Sequence, residues 1–369
     1  MVVKKMKSRA AAEDKFGTGF SHNFKPVEPL DLGKVKTVND LVTGMKNTSF
    51  GGRTVGEAAD VLEAMVRDKD TFKILTLSGA MTVAKMSYVI CDMIDNGMVD
   101  AVISTGALVA HGFIESAGMK HFKYEWNMDD EKLYYAGYDR VYDTLELEKN
   151  LDMTENIVKE VFSKFDASQP IGSHHINREL GKHLVEKFND RGILNSAFKK
   201  NVPVFIPAFT DSEMGLDFAL YNRASKYHGR KPLVFDPFLD LNHYTDLVFR
   251  SKKLGIFTIG GGTPRNWAQQ VGPYLDLIYY RMEKSGVPKE QLGNPDDYFK
   301  RFHYGVRICP DSVHWGGLSG CTYSEGVSWG KFVPREEGGM WSEVFEDATV
   351  AWPMIVKAVL ERLQTDKIK

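Results

Sequence analysis

Lys73-Ile74-Leu75-Thr76-Leu77-Ser78-Gly79 decides how the rest of the chain is read. Lys73 to Leu77 is a short apolar run of buried-strand length, closed by a Ser-Gly turn. A helical pattern follows from Thr82 to Asp95 and stops at Gly97, and Ala101 to Ser104 is the next strand, ending in a Thr105-Gly106 turn. The same alternation returns downstream. Val202 to Pro207, Leu233 to Asp236, Ile256 to Ile259 and Val306 to Cys309 are short apolar runs separated by helix-length segments. Helices joining successive strands imply crossover connections. The expected fold class is therefore α/β: a doubly wound, mainly parallel sheet with helices on both faces, Rossmann-like in outline.

In such a sheet ligands sit beyond the carboxyl ends of the strands. Those ends carry Ser78-Gly79, Thr105-Gly106, Thr210-Asp211 and Gly260-Gly261-Gly262. Small residues and hydroxyls at successive strand ends suit a nucleotide, because backbone amides can approach its phosphates. None of these turns is a Gly-x-Gly-x-x-Gly fingerprint, so the pattern points to a crevice without naming its occupant.

Working outward, residues 1–30 are charged, then punctuated by Gly and Pro, and read as an N-terminal arm. Thr37 to Met45 and Thr54 to Val66 read as short helices, with Ser49-Phe50-Gly51-Gly52-Arg53 as the break between them. Glu283 to Arg301 is polar, carries Gly286, Pro288, Gly293 and Pro295, and reads as a surface insertion. With no repeat or linker, residues 31–369 are expected to form one domain. The chain of 369 residues is 43% hydrophobic and 26% charged, which supplies ample core for a globular protein. Its net charge of −2 argues against nucleic acid or an anionic membrane as partner and favours small molecules. Cys91, Cys309 and Cys321 have no disulfide or zinc spacing, and no apolar run approaches a membrane span, so a cytoplasmic location is expected.

Chemistry concentrates in Ser324-Glu325-Gly326-Val327-Ser328-Trp329-Gly330-Lys331. A lysine attacks a carbonyl or imine only when unprotonated, and desolvation is the usual way to lower its pKa. Trp329 offers a dry wall. As an extended segment, period 2 puts Glu325, Val327, Trp329 and Lys331 on one side, where Glu325 and Lys331 address the same small cation. His174, His175, Glu179 and His183 suggest one helical face but not a His-Glu-x-x-His pattern, and Ser173 reads as a helix N-cap; no metal site is expected there. Asp311, His314 and Trp315 lie just upstream of the lysine segment, as candidates to line its pocket.

Glu325 to Lys331 resembles the active-site segment of deoxyhypusine synthases, differing only at Gly326. The resemblance runs from about residue 30 to 360 through Phe50-Gly51-Gly52-Arg53, Val202-Pro203-Val204-Phe205, Pro207-Ala208-Phe209-Thr210-Asp211, Leu233-Val234-Phe235-Asp236, the triple glycine and Phe345-Glu346-Asp347-Ala348-Thr349. It implies an NAD-binding α/β fold assembled as a homotetramer, with active sites at dimer interfaces. Carried over by position, it implies NAD contacts at Ser78, Thr82, Thr105, Gly106, Asp211, Gly260, Gly261, Ser319, Asp347 and Ala348. It also implies a reaction in which an aminobutyl unit from spermidine passes through an imine on Lys331 to an acceptor amine, with no net redox change.

The substrate side departs from the family pattern. Leu216 and Leu318 stand where the resemblance implies carboxylates, Asn266 and Gln270 replace a histidine and an asparagine, and Ala110-His111 replaces an acidic pair. An ammonium left facing leucine loses a charge-assisted partner, at a cost of about 3–5 kcal/mol when buried. The leading expectation is an NAD-dependent transferase moving an alkylamine unit to a small amine such as putrescine, giving homospermidine. The alternatives are true deoxyhypusine synthesis on a protein lysine, an NAD-dependent amine dehydrogenase, or a catalytically idle NAD-binding protein. Substrate contacts are expected at Glu325, Trp329, Asn266, Gln270, His111, Leu216 and Leu318.

Overall fold

The computed structural model describes residues 16–188 and 190–365; most of the expected arm, residues 1–15, lies outside them. Its strands in chain order are β1 Thr71–Leu77, β2 Ala101–Ser104, β3 Phe122–Lys123, β4 Tyr138–Val141, β5 Thr144–Leu147, β6 Pro170–Ile171, β7 Val204–Phe205, β8 Val234–Phe235, β9 Lys253–Ile259, β10 Phe302–Ile308 and β11 Met340–Val344. Six form a parallel sheet in the order β11-β10-β9-β1-β2-β7. From β1 the chain builds outward through β2 to β7, then returns to the other side of β1 and continues through β9, β10 and β11. This is the doubly wound order, and it places the topological switch between β1 and β9.

The side-chain alternation explains why these segments are strands. Leu75, Leu77, Val102, Phe257, Ile259 and Val306 enter the core on one face, while Ile74, Ala101, Ile103, Leu254, Ile256 and Phe302 enter a second core on the other. Burying one such aliphatic side chain is worth ~1.5–3 kcal/mol, so a strand lined on both sides is stable only with helices covering both faces. Across the switch the two strands are locked by registered pairs from Thr71 with Lys253 to Leu77 with Ile259. At its end Ser78 Oγ donates to the Ile259 carbonyl (3.0 Å) and accepts from the Gly261 amide (2.8 Å).

Several sequence expectations need correction. The helix expected from Thr82 begins only at Ser87, because Lys85 adopts a left-handed φ of 63° and the Thr82 hydroxyl is spent on the Leu108 carbonyl. Phe50 to Arg53 lies inside the helix Phe50–Arg67, so the break falls earlier. The strand expected at Leu233 to Asp236 pairs with β6 outside the main sheet. Ser173 is the first residue of helix Ser173–Lys187, not its cap; its hydroxyl accepts from the Ile206 amide (2.8 Å) and ties that helix to the end of β7. Two features were not anticipated: the edge strand β11, and a three-stranded antiparallel sheet in the order β3-β5-β4.

Candidate active site

At the switch point Ser78, Thr105, Gly106 and Asp211 line a cavity of about 80 Å³, together with Ser104, Pro207, Ala208, Thr263 and Pro264. Helix Gly106–Ser116 and helix Gly262–Gln269 both start here without a side-chain cap, which leaves first-turn amides open toward the crevice. Gly261 is required by contact: a Cβ there would lie 2.5 Å from Ser319 Cα, so the loop carrying Ser319 packs directly on the glycine turn. Gly260 and Gly261 lie against Ser78, which accepts from the Gly261 amide, but are not among the residues lining the crevice. Thr82 is fully buried behind it. Asp347 lies beyond β11, where its carboxylate accepts from the Thr349 amide (2.7 Å) and opens the helix that begins at Ala348.

The lysine segment is not extended. Thr322 caps a short helix, Tyr323–Ser328, by accepting from the Glu325 amide (3.2 Å). Tyr323 is completely enclosed, and its hydroxyl meets Thr258 Oγ1 and the Val306 carbonyl, each at 3.0 Å, so the helix is anchored on the centre of the sheet. Gly330 ends the helix with a left-handed φ of 67°. The Gly330 amide donates to Val327 (3.0 Å) and the Lys331 amide to Gly326 (2.9 Å), the paired bonds of a Schellman motif. The chain then joins β10, with Phe302 donating to the Lys331 carbonyl and Val333 donating to that of Phe302, each at 2.9 Å. Gly326 has a local reason as well: a Cβ there would lie 2.8 Å from the ring of Phe332.

These constraints aim Lys331 into a cavity of about 210 Å³ that it shares with Arg265, Asn266, Gln269, Gln270, Leu318, Cys321, Thr322, Glu325, Gly326 and Trp329. Lys331 Nζ donates to Asn266 Oδ1 (3.4 Å) and sits 5.7 Å from the Trp329 ring centre. Burial is the main cause that lowers the Lys331 pKa below the ordinary lysine range, and the Arg265 charge adds to it against the opposing pull of Cys321 and Glu325. Arg265 is itself buried and staples the loop above it, donating to the carbonyls of Cys321 (2.8 Å) and Leu318 (2.6 Å). One helix, Gly262–Gln269, serves both cavities: Thr263 and Pro264 face the crevice, Arg265 and Asn266 the lysine.

Of the expected substrate contacts, Glu325, Trp329, Asn266, Gln270 and Leu318 therefore meet Lys331, and Leu216 and His111 do not. Leu216 is 62% exposed on helix Glu213–Tyr227. His111 is buried among Glu146, His121 and Glu213. The Trp329 indole is 65% exposed, so within one chain the lysine is dried by Arg265, the loop at Leu318 and the helix Gly262–Gln269 rather than by the indole. Sequence reading missed Arg265, Gln269, Cys321 and Thr322; the available signal was that Arg265 and Gln269 lie on the helix that the triple glycine opens. A larger cavity of about 410 Å³, lined by His174, His175, Arg178 and His243 among others, lies beside β7 and holds no group able to form an imine. His174, His175, Glu179 and His183 do not converge there as metal ligands.

Fold and site together define a doubly wound α/β protein with a desolvated lysine beside the crevice at its topological switch. Comparisons with known proteins sharpen that class. The deoxyhypusine synthase family profile matches residues 40–359. A probable deoxyhypusine synthase 2 of Methanosarcina acetivorans is 34% identical over 349 residues, covering 93% of this chain and 91% of the relative. A deoxyhypusine synthase-like protein of Chlorobaculum parvum is 32% identical over 335 residues, covering 90% and 88%. The crystal structure of a candidate deoxyhypusine synthase from Entamoeba histolytica superposes with a TM-score of 0.57 at 16% identity over 91% of this chain and 97% of that one, a likeness of fold. The chain belongs to the deoxyhypusine synthase family.

Proposed function

We propose that this protein is an NAD-dependent transferase that moves an aminobutyl unit from a polyamine to an amine acceptor through an imine on Lys331. The observation that carries the reading is a half-buried lysine with a lowered pKa, held by a helix-ending turn in a cavity next to the strand-end crevice. The residues at the crevice suit a dinucleotide: two uncapped helix starts present amides suited to its phosphates, and the Asp211 carboxylate can accept from a ribose hydroxyl. When bound, NAD would supply reversible oxidation of the carbon beside the donor's amine nitrogen.

The chain's own residues do the rest. Neutral Lys331 adds to the oxidised C=N carbon, the departing amine leaves with the proton, and the lysine retains the four-carbon unit as an imine until the acceptor amine displaces it. Glu325 orients an ammonium, Asn266 and Gln270 hold the lysine end of the cavity, and Trp329 offers its ring to a cation. Glu325 is the carboxylate among the lining residues, and Leu318 stands at the rim. A cavity with one carboxylate supports a small acceptor such as putrescine, hence homospermidine as product. The relatives' names support the second reading, a protein lysine as acceptor. Exposed Leu318 and Trp329 on the cavity favour completion of the site by a second subunit, in a homotetramer; Asp311, His314 and Trp315, the expected upstream candidates, are not among the lining residues. Residues 31–369 then act as one catalytic unit and 1–30 as an arm.

Borohydride trapping tests the assignment. After incubation with NAD and a panel of polyamines, a mass increment on the peptide carrying Lys331 is expected, and none in Lys331→Ala. Tight NAD binding with no adduct for any amine would show an idle binding protein, and net accumulation of NADH an amine dehydrogenase.

A further inference from the structure

The antiparallel sheet β3-β5-β4 meets helix Gly106–Ser116 at His111, His121 and Glu146. His111 comes from the helix, His121 from the residue before β3, and Glu146 from the central strand β5. One donor atom of each, two imidazole nitrogens and a carboxylate oxygen, lies within 4.8 Å of the other two. The site is enclosed: His111 is 8% and Glu146 2% exposed, and the His121 side chain is fully covered. His111 Nδ1 is in close ion-pair contact with Glu146 Oε2, and His121 Nε2 faces Glu146 Oε1 at 3.6 Å, but beyond one another His111 Nδ1, His121 Nε2 and Glu146 Oε1 have no hydrogen-bond partner. A buried polar atom without a full partner costs about 1–3 kcal/mol, more when charged, and donor atoms that converge with nothing outside their own cluster call for a shared partner.

We propose that His111, His121 and Glu146 bind a divalent first-row transition metal ion of the zinc class. Two imidazoles and a carboxylate are a recurring ligand set for such ions, and donors around one ion at ~2.0–2.2 Å need only modest side-chain adjustment from this arrangement. The surroundings fit. The other ring nitrogen of His111, Nε2, faces Glu213 Oε1 at 3.7 Å, the carboxylate–histidine–metal arrangement that orients a ligand. Asp139 lies directly opposite Glu146 in the β4–β5 register, and its buried Oδ2 also lacks a partner, which makes it the natural fourth ligand.

Two contacts compete, the His111–Glu146 ion pair and a lysine on His121. Lys85 Nζ is 2.8 Å from His121 Nδ1, and an ammonium there requires the imidazole proton on Nε2. Coordination through Nε2 moves that proton to Nδ1 and leaves Lys85 on Glu115, whose Oε1 is 2.6 Å from the same Nζ. Without metal, a proton shared between His111 and Glu146 takes the place of the ion's charge.

The test uses the full-length protein, stripped with chelator and titrated with Zn²⁺ or Co²⁺. The site predicts about one tightly held equivalent per chain after dialysis, and visible ligand-field bands with Co²⁺. Glu146→Gln and His121→Gln should each weaken binding by ~100-fold or more, and Glu213→Gln by ~10–100-fold, with far-UV circular dichroism confirming that each variant is folded. Parent protein that retains no metal, or folded Glu146→Gln and His121→Gln variants that retain it as the parent does, would overturn the proposal. The readout is independent of Lys331 and of any transferase activity.

Discussion

Gly330→Ala isolates the turn that delivers the lysine. At φ 67° the residue sits in the left-handed region, which costs an alanine roughly 1–2 kcal/mol. A Cβ added at Gly330 would meet no atom within 4 Å, so backbone strain is the whole effect and no clash adds to it. Urea unfolding should therefore show a loss of ~1–2 kcal/mol for Gly330→Ala and a smaller loss for Gly330→Asn, since asparagine tolerates this region better. Lys331 should still be trapped by borohydride in both variants, because the lysine carbonyl is held by the Phe302 amide at 2.9 Å, on the strand side of the turn. Two results refute the reasoning. Equal stability of Gly330→Ala and the parent would mean that the turn is not left-handed in solution, and loss of the adduct at unchanged fold would mean that the helix end, not β10, positions the amine.

Tyr323→Phe removes the hydroxyl that meets Thr258 Oγ1 and the Val306 carbonyl, both buried, and should destabilise the protein by about 1–3 kcal/mol in urea unfolding. The Asp217 carboxyl is pushed up to about 6, first by burial and then by Glu155 and Glu213, against Lys159. Its folded pKa lies above the unfolded one, so stability is full below pH ~4 and is lost as pH rises through about 6; Asp217→Asn should gain on the parent across that window, by about 1 kcal/mol after allowance for solvent screening, and parallel stability curves would contradict this. Because burial and Arg265 lower the Lys331 pKa, the rising limb of adduct formation should lie below the ordinary lysine titration near pH ~10.4; a limb at or above that value would mean that the amine is not dried.

Much of the fold was legible because parallel strands buried on both faces read as short apolar runs. Ala101–Ser104 is found as expected, and β1, β9 and β10 extend the expected runs by a few residues toward their amino ends. Local signals failed where tertiary contacts decide. Val234–Phe235 has strand character but pairs with Pro170–Ile171, a partner no local pattern specifies. Glu325 to Lys331 reads equally well with period 2, and what makes it helical is the Thr322 cap at one end, the Gly330 turn at the other and the anchoring of Tyr323 between them. Glu325 and Lys331 reach one cavity all the same, because the turn brings the lysine back toward the helix. The His111, His121 and Glu146 cluster was invisible for a plainer reason: its members come from a helix, from the residue before β3 and from β5 of an unanticipated sheet, with no motif spacing between them.

The altered substrate side makes physical sense once Leu216 and its neighbours are placed. On helix Glu213–Tyr227, Leu216 faces outward, whereas Glu213 and Asp217 lie one turn apart and line a small interior cavity with Ala110. Asp217 and Glu213 thus turn toward that cavity, although the Glu213 side chain stays 39% exposed. Leu216 presents an apolar surface in place of the carboxylate that the family resemblance implies there, and Leu318 does the same at the rim of the lysine cavity. Lys331, Arg265 and Glu325 place two potential cations and one anion around the cavity. A donor amine with several ammonium groups would meet Arg265 and the lysine's own residual charge with only Glu325 to compensate. For the proposed polyamine donor, a second subunit or the amine's own neutral form would have to supply the balance at this end of the site.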